Sequence, residues 1–146
     1  MLSQQNKEVQ YLMKLKIFTD GGSRGNPGEA AVGCVILNDE DGTRLAELSE
    51  RIGIATNNVA EYMAVVTALK WVKREVGNAS IEFVVDSELI GKQLRGEYKV
   101  KDSNLKTIYL EAKELISAVG GVSNFTIVRR EKNTEADALV NKALDA

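Results

Sequence analysis

The sequence predicts one α/β domain, a single mixed five-stranded sheet with helices on both faces. Three observations predict it. The first half of the chain holds three strand-like segments joined by tight turns, the pattern then becomes helical, and the second half alternates helix with strand. Strands joined by hairpins run antiparallel, whereas strands joined by a helix run parallel through right-handed crossovers. A length of 146 residues fits one domain.

The first strand is predicted over residues 14–19, where Leu15, Ile17 and Thr19 alternate with their neighbours. Four glycines and the only proline follow within residues 21–28, so we expect an irregular loop with exposed main-chain N–H groups. Asp20 would then end the strand, beside a loop suited to holding a cation against a phosphate. The alternative is that this acid and the two glycines after it form only a turn.

Two more strands complete an antiparallel meander. Residues 30–37 form an apolar run, and residues 38–42 end in an Asp-Gly pair that suits a hairpin turn. The third strand is predicted over residues 44–54. Its apolar face comprises Ala46, Leu48, Ile52 and Ile54.

Helical spacing begins at residue 58 and lasts to about residue 76. Apolar residues lie on nearly all sides of this helix, so it should be covered by neighbours, and Gly77 with Asn78 ends it. Residues 81–86 predict a short buried strand that ends at Asp86. Residues 87–94 predict a brief helix.

The next helix, residues 104–119, has the clearest amphipathic pattern, and Gly120 with Gly121 ends it. Residues 122–129 predict the fifth strand, and residues 134–144 a closing helix. The apolar faces of these helices comprise Leu105, Ile108, Tyr109, Ala112, Leu115, Ile116 and Val119, and then Ala136, Leu139, Val140 and Ala143.

Composition excludes several kinds of catalytic site. The chain has no histidine, which rules out Ser-His-Asp and Cys-His nucleophilic sites and histidine-bound zinc. Its single cysteine, Cys34, lies in an apolar run and is predicted to be buried and unpaired. A net charge of −2 argues against indiscriminate nucleic-acid binding, although basic residues gather at 92–101 and 129–132. No segment has the pattern of a membrane span or a signal peptide, so we expect a cytoplasmic protein without a membrane partner.

Glu61 is an acid with apolar helical neighbours. At spacings of three and four residues it faces Ala64 and Val65, whereas a solvated glutamate usually faces a lysine or an arginine. The alternative is a capping box, with Asn58 as N-cap and Glu61 reaching back to it. For Asp86 the alternative is a purely structural role, as an N-cap or in an Asx turn.

Asp137 follows Thr134 by three residues and could complete an imperfect capping box. Together, however, the four acids suggest a site. Asp20 and Asp86 end strands whose carboxyl ends share one edge of the sheet, and the helices carrying Glu61 and Asp137 can begin at that edge. Four carboxylates so close would repel one another unless cations neutralise them. We therefore expect Asp20, Glu61, Asp86 and Asp137 to bind Mg²⁺. Two such ions about 4 Å apart can clamp the attacking water and the leaving oxygen of phosphodiester hydrolysis.

Four ordered motifs carry a family resemblance: Asp20-Gly-Gly-Ser-Arg-Gly-Asn-Pro-Gly28, Thr56-Asn-Asn-Val-Ala-Glu61-Tyr, Val85-Asp86-Ser-Glu-Leu and Asn133-Thr-Glu-Ala-Asp137-Ala-Leu. In that order and spacing they resemble type 1 ribonuclease H in its compact form without a basic protrusion. The resemblance implies a ribonuclease H-like fold over residues 13–146, after an N-terminal extension of residues 1–12. It also implies a monomer that uses two Mg²⁺ ions, replaceable by Mn²⁺, to hydrolyse the RNA strand of an RNA/DNA hybrid into 5′-phosphate and 3′-hydroxyl ends.

The resemblance also implies individual roles. Asp20 would bridge both ions, Asp137 would complete the site of the nucleophilic water, and Glu61 with Asp86 would complete the other site. Glu61 would also touch a 2′-hydroxyl of the RNA. Thr56 would contact a phosphate of the DNA strand, while the glycine-rich segment and the helix start would lie along the minor groove. The remaining implied substrate contacts are Gly21, Gly22, Ser23, Asn26, Asn57, Asn58 and Ser87.

The chain departs from the family pattern in three places. Better-known members carry a histidine in the loop before the last motif, thought to help the product leave, whereas here residues 129–133 read Arg-Arg-Glu-Lys-Asn. We expect slower turnover, or assistance from Arg130, Glu131 or Lys132. Glu88 stands where several relatives have glutamine. The basic helix of some members is missing, and residues 92–101 are predicted to face phosphates instead.

Two alternatives remain open. One is a nuclease of the same fold that prefers double-stranded RNA or branched DNA. The other is a hybrid-binding module without catalysis, whose binding would be indifferent to Mg²⁺ and to substitution of Asp20.

Overall fold

The computed structural model describes residues 12–120 and 123–146. Apart from Leu12, the predicted N-terminal extension lies outside them. Within the described residues the chain forms five strands and four α-helices, with a short 3-10 helix before the last one. In chain order these are β1 (Met13–Gly25), β2 (Gly28–Asn38), β3 (Arg44–Ala55), α1 (Asn57–Glu75), β4 (Ala79–Val85), α2 (Glu88–Leu94), α3 (Ser103–Ala118), β5 (Ser123–Ile127), the 3-10 helix (Arg130–Lys132) and α4 (Thr134–Asp145).

The strands form one sheet in the order β3-β2-β1-β4-β5. β2 pairs antiparallel with β1 and with β3, whereas β4 pairs parallel with β1 and with β5. Helices α1, α2 and α3 share the main core on one face. On the other face Val140, Ala143 and Leu144 of α4 pack against Ala31. The predicted mixed sheet with helices on both faces is confirmed.

The glycine-rich segment after Asp20 is a strand, so the prediction of an irregular loop is wrong. β1 continues to Gly25 and pairs with β2 along this second half. Its pairing with β4 ends earlier, at Phe18 and Val84. Asp20 therefore lies where β1 parts from β4 and not at the end of the strand. Beyond this point β1 pairs with β2 and no longer with β4, and β2 stays paired with β3. Residues 20–33, the end of the β1–β2 hairpin, are called the hairpin arm below.

The predicted apolar face of β3 holds for three of its four residues. Ala46, Leu48 and Ile52 pack against the core, whereas Ile54 is 70% exposed. The reason is a bulge, because the pairing with β2 skips Ile52 and the next residue, Gly53, has a φ of 83°. A bulge reverses which face the later side chains occupy. Its position could not be read from the alternation alone.

Helix α1 begins at Asn57, one residue before the predicted start. Thr56 is the N-cap, and its hydroxyl oxygen accepts a hydrogen bond from the Val59 N–H at 3.2 Å. The alternative capping box is therefore wrong, because Asn58 lies inside the helix and Glu61 accepts a bond from β1 instead. The helix is covered as predicted, and its buried residues are Ala60, Tyr62, Ala64, Val65, Val66, Ala68, Leu69 and Val72.

Caps also define α2 and α3. Ser87 is the N-cap of α2, so Asp86 is not, and the Ser87 hydroxyl accepts from the Ile90 N–H. Asp102 caps α3 by accepting from two main-chain N–H groups. The predicted inward face of α3 is confirmed, with Leu105, Ala112, Leu115 and Val119 buried and Ile108, Tyr109 and Ile116 packed against the core.

Edge strand β3 holds α4 through polar side chains. Ser49 Oγ donates to the Leu139 carbonyl at 2.6 Å. The Arg51 guanidinium donates to carbonyls at the carboxyl end of α4, including that of Ala143 at 2.9 Å. A cation is favourable at that end of a helix. At the other end Asn133 is the N-cap, and no side-chain capping bond forms there among the described residues, so the capping alternative for Asp137 is wrong.

The remaining predictions concern single positions. Cys34 is buried and unpaired, as expected. β5 begins at Ser123, and the predicted strand residue Val122 lies outside the described ranges. None of the helices in residues 12–120 and 123–146 is long and apolar enough to cross a membrane.

Candidate active site

One cavity gathers the four acids singled out above. It measures about 280 Å³, and each acid reaches it from a different part of the fold. Asp20 comes from the point where β1 leaves β4, Glu61 from the second turn of α1, Asp86 from the residue after β4, and Asp137 from the first turn of α4. The other lining residues are Gly21, Gly22, Ser23, Arg24, Asn57, Arg130, Val140, Asn141 and Leu144.

Three of the four acids form a tight cluster. One carboxylate oxygen from each of Asp20, Glu61 and Asp86 lies within 4.8 Å of the others. Asp137 lines the same cavity outside this cluster, with one carboxylate oxygen 3.5 Å from Asn141 Nδ2. Ligands that are all carboxylate oxygens suit a hard divalent cation such as Mg²⁺. The chemistry of this donor set therefore fits a metal site.

The environment of the cluster disfavours ionisation of the Asp20 and Glu61 carboxyl groups. Burial is the main cause that raises the pKa of Asp20, followed by its hydrogen bond with Glu61 and by the charges of Glu61, Asp86 and Asp137. Burial likewise raises the pKa of Glu61. Desolvation and like charges both disfavour ionised carboxylates, and a bound cation would remove the penalty.

Gly21 brings the first two acids together. Its main-chain N–H donates to Asp20 Oδ1 at 3.0 Å and to Glu61 Oε1 at 3.1 Å. A Cβ at this position would lie only 2.2 Å from the main-chain carbonyl of Ala60. The backbones of β1 and α1 therefore meet at a distance that only glycine permits.

The hairpin arm is fixed to the start of α1 by asparagines. Asn57 Oδ1 accepts from the Ser23 N–H at 2.8 Å, and Asn26 Oδ1 accepts from the Asn57 N–H at 3.0 Å. Arg24 forms an exposed ion pair with Asp145 at 2.6 Å. These bonds hold the arm in one position relative to α1 and α4.

The predicted substrate contacts divide into groups. Gly21, Gly22, Ser23 and Asn57 line the cavity with the four acids. In contrast, Asn26, Thr56 and Asn58 line a second cavity of about 210 Å³, together with Asp102 and Asn104 at the start of α3. Ser87 lines neither cavity and caps α2.

Asn133 is a site residue to which sequence reasoning gave no role. It is buried, and its side-chain amide donates to the Thr19 carbonyl at 2.8 Å and to Asp86 Oδ2 at 3.0 Å. The available signal was its place directly before a helix, where asparagine is a favoured N-cap. Asn141, which lines the cavity from within α4, was also missed. Arg130, one of three residues considered as a substitute for the family histidine, lines the cavity.

The basic run at residues 92–101 is only partly available to a ligand. Lys92 Nζ lies 2.8 Å from a carboxylate oxygen of Glu88, and Arg95 donates to a main-chain carbonyl of β5. Lys99 and Lys101 are exposed in the loop after α2. The phosphate contacts expected of this run stay a prediction.

Comparison with known proteins decides the family. The profile of the family described as "Reverse transcriptase-like" matches residues 18–143. Ribonuclease HI of Halobacterium salinarum is 43% identical over 132 residues, which are 90% of this chain and 65% of that protein. The crystal structure of RNase H1 from this archaeon aligns with a TM-score of 0.85 at 42% identity, over 90% of this chain and 98% of that chain. This chain belongs to the type 1 ribonuclease H family.

Two further relatives extend the comparison. Bifunctional protein Rv2228c of Mycobacterium tuberculosis is 42% identical over 134 residues, 92% of this chain and 36% of that protein. LC11-RNase H1, solved in complex with an RNA/DNA hybrid, aligns with a TM-score of 0.83 at 41% identity, over 90% of this chain and 96% of that chain. The chain thus spans about a third of the mycobacterial relative and 65% of the archaeal one. The predicted ribonuclease H-like fold is confirmed.

Proposed function

We propose that this chain is an endonuclease that hydrolyses the RNA strand of RNA/DNA hybrids. The observation that carries the proposal is the cluster of Asp20, Glu61 and Asp86, with oxygens within 4.8 Å of one another. LC11-RNase H1, whose structure contains such a hybrid, has the same fold and is 41% identical in sequence. Because the chain has no histidine, these carboxylates are the groups available for the chemistry.

Asp20, Glu61, Asp86 and Asp137 would hold the catalytic cations, with Mg²⁺ preferred and Mn²⁺ accepted. When bound, two such ions would activate the attacking water and stabilise the leaving oxygen, giving 5′-phosphate and 3′-hydroxyl ends. Asp20 is proposed as the shared ligand because it belongs to the tight cluster with Glu61 and Asp86 and lines the same cavity as Asp137. Asp137 lies outside the tight cluster and would border the attacking water.

The hairpin arm and the start of α1 would recognise the duplex. Ser23, Asn26, Asn57 and Asn58 would lie along the minor groove with the main chain of Gly21 and Gly22, where RNA presents its 2′-hydroxyl groups. The hydrogen bonds among Ser23, Asn26 and Asn57 support this role because they fix the contact surface before a duplex arrives.

Two hydroxyls and one guanidinium complete the proposed contacts. The Thr56 oxygen accepts a bond from a helix N–H group, which leaves its hydroxyl proton able to donate to a phosphate of the DNA strand. The Ser87 hydroxyl, which caps α2 and hydrogen-bonds with Glu61, would border the substrate. Arg130 lines the cavity and would take the place of the family histidine, by neutralising phosphate charge as the product leaves. Glu131 and Lys132 are not among the residues that line it.

The deciding experiment is a side-by-side digestion of labelled substrates. RNA/DNA hybrid, double-stranded RNA, double-stranded DNA and branched DNA are incubated with the protein in MgCl₂ or MnCl₂. We expect cleavage of the RNA strand of the hybrid alone, and its loss in Asp86→Asn. Asp39→Asn, an exposed acid in the β2–β3 turn, is the matched control and should cut like wild type. Equal cutting by wild type and Asp86→Asn would refute the assignment.

The same assay separates the alternatives. Preferential digestion of double-stranded RNA or branched DNA would reassign the substrate within the same fold. Tight hybrid binding without cleavage, unchanged by EDTA and by Asp20→Asn, would indicate a non-catalytic module. We further propose that residues 13–146 form the domain, that the active form is a monomer and that the protein acts in the cytoplasm. Light scattering tests whether it is a monomer.

A further inference from the structure

Asn133 contacts separate parts of the candidate active site through one side chain. It is 1% exposed, and its Nδ2 donates to the Thr19 carbonyl at 2.8 Å and to Asp86 Oδ2 at 3.0 Å. Thr19 directly precedes Asp20 in β1, whereas Asp86 follows β4. One amide group therefore bridges the two strands at the point where they separate.

The main chain of Asn133 reaches the other side of the cavity. Its carbonyl accepts from the Asp137 N–H at 3.2 Å, and its N–H donates to the Arg130 carbonyl at 3.0 Å. A single residue thus makes direct contact with Asp86, Asp137 and Arg130 and with the neighbour of Asp20.

The amide group has a defined orientation. Both partners of Nδ2 are oxygen acceptors, so the nitrogen must face them and the oxygen must face away. Within the described part of the chain, Asn133 Oδ1 has no hydrogen-bond partner. A buried amide oxygen without a partner costs stability, and Asn133 bears that cost while its nitrogen satisfies the Thr19 carbonyl and the Asp86 carboxylate.

We infer that Asn133 is a positioning residue that holds the Asp86 carboxylate in the orientation a divalent cation requires. It fixes one oxygen of Asp86 and ties it to β1 beside Asp20. The inference rests on the proposed function. Asn133 is not among the residues that line the cavity, so it acts through Asp86 and touches neither substrate nor cation.

Removal of the amide should weaken cation binding without changing substrate contacts. Hydrogen bonds from outside the ligand set orient metal-binding carboxylates, and their loss typically costs at least tenfold in metal affinity. In Asn133→Ala we therefore expect the half-saturating MgCl₂ concentration to rise roughly tenfold. At a fixed MgCl₂ concentration below saturation, kcat on the hybrid should therefore fall while KM stays unchanged.

The test titrates MgCl₂ against thermal unfolding without substrate. It compares wild type, Asn133→Ala, Asp86→Asn and the double variant, with Asn124→Ala, an exposed asparagine on β5, as the matched control. If Asn133 acts through Asp86, Asn133→Ala shifts the titration in the wild-type background and not in the Asp86→Asn background. Asn124→Ala should titrate like wild type.

Several results would overturn the inference. Asn133→Ala could titrate like wild type, or shift the titration equally in both backgrounds. If Asn133→Ala does not fold, Asn133→Leu is measured in its place, and failure of both to fold with MgCl₂ present would assign Asn133 a purely structural role. The proposed function fails separately, if wild type itself shows no Mg²⁺-dependent shift and cuts no hybrid.

Discussion

The main-chain N–H of Gly21 donates to Oε1 of Glu61 at 3.1 Å, across the contact between β1 and α1. Because Gly21 has no side chain, the strand approaches the Ala60 carbonyl directly. The same N–H bonds to Asp20, so one backbone group holds two carboxylates of the cavity side by side. The geometry of this pair therefore depends on the backbone separation of β1 and α1.

A methyl group at Gly21 should destabilise the fold and disturb the site together. Its Cβ would lie 2.2 Å from main-chain atoms, which cannot move as a flexible side chain can. We expect Gly21→Ala to lower the free energy of unfolding by about 1–3 kcal/mol, as overpacking does, and to reduce hybrid cleavage. Urea denaturation measures the first effect. Gly22→Ala is the control for stability, since its Cβ would meet only Val140 Cγ1 at 3.4 Å. Equal losses in the two variants would contradict the argument.

Removing one charge from the cluster should not harm the metal-free fold. In EDTA we expect Asp20→Asn to unfold at the same temperature as wild type or a higher one, because repulsion with Glu61 and Asp86 is relieved. MgCl₂ should then stabilise wild type more than the variant, since only wild type keeps the full ligand set. Differential scanning calorimetry measures both, with Asp39→Asn as control. Equal Mg²⁺ shifts in wild type and Asp20→Asn would count against a shared metal site.

The metal-free protein should lose stability as the pH rises. The pKa values of Asp20 and Glu61 are raised in the folded state, so the folded protein binds protons more tightly than the unfolded chain. Their contribution is complete below the unfolded values, near pH 4, and is lost as the pH rises through the folded values. Thermal unfolding in EDTA should show a lower midpoint at about pH 8 than at about pH 5. Asp20→Asn should flatten this slope, and a slope of opposite sign would refute the account.

Thr56 should stabilise α1 whether or not it contacts substrate. Its hydroxyl oxygen accepts from the Val59 N–H at the start of the helix. We expect Thr56→Ala to lower the free energy of unfolding by about 1 kcal/mol. Thr56→Ser keeps a capping hydroxyl, so it should retain most of the stability that the cap contributes. Chemical denaturation without nucleic acid measures the cap alone. An alanine variant as stable as the serine variant would show that the cap contributes little.

The order of the strands and helices and the identity of the four acids were predictable from the sequence, because both depend on short-range patterns. Alternation and helical spacing are local, so the strands and helices of the second half agree with the structure to within a few residues. The motif around Asp86 follows a buried strand, which placed the acid at the edge of the sheet. The parallel pairing of β1 with β4 then brought it close to Asp20.

The sequence-based predictions failed where contacts between residues far apart in the sequence override local conformational preference. Glycine disfavours strands, yet the segment after Asp20 is held as a strand by β2, and Gly21 is required by the approach of α1. Ile54 is exposed because of a bulge opposite β2. Asn133 was overlooked because its partners lie 114 and 47 residues away in sequence.

Strand β1 pairs with β4 only from Met13 to Phe18, whereas it pairs with β2 from Leu15 to Gly25. The half beyond Asp20 nevertheless belongs to the interior, because Ala31 and Val32 on the paired strand are buried and Gly21 meets α1. Redesign of this half for another duplex would therefore also alter the packing beneath it, so specificity and stability cannot be tuned separately there.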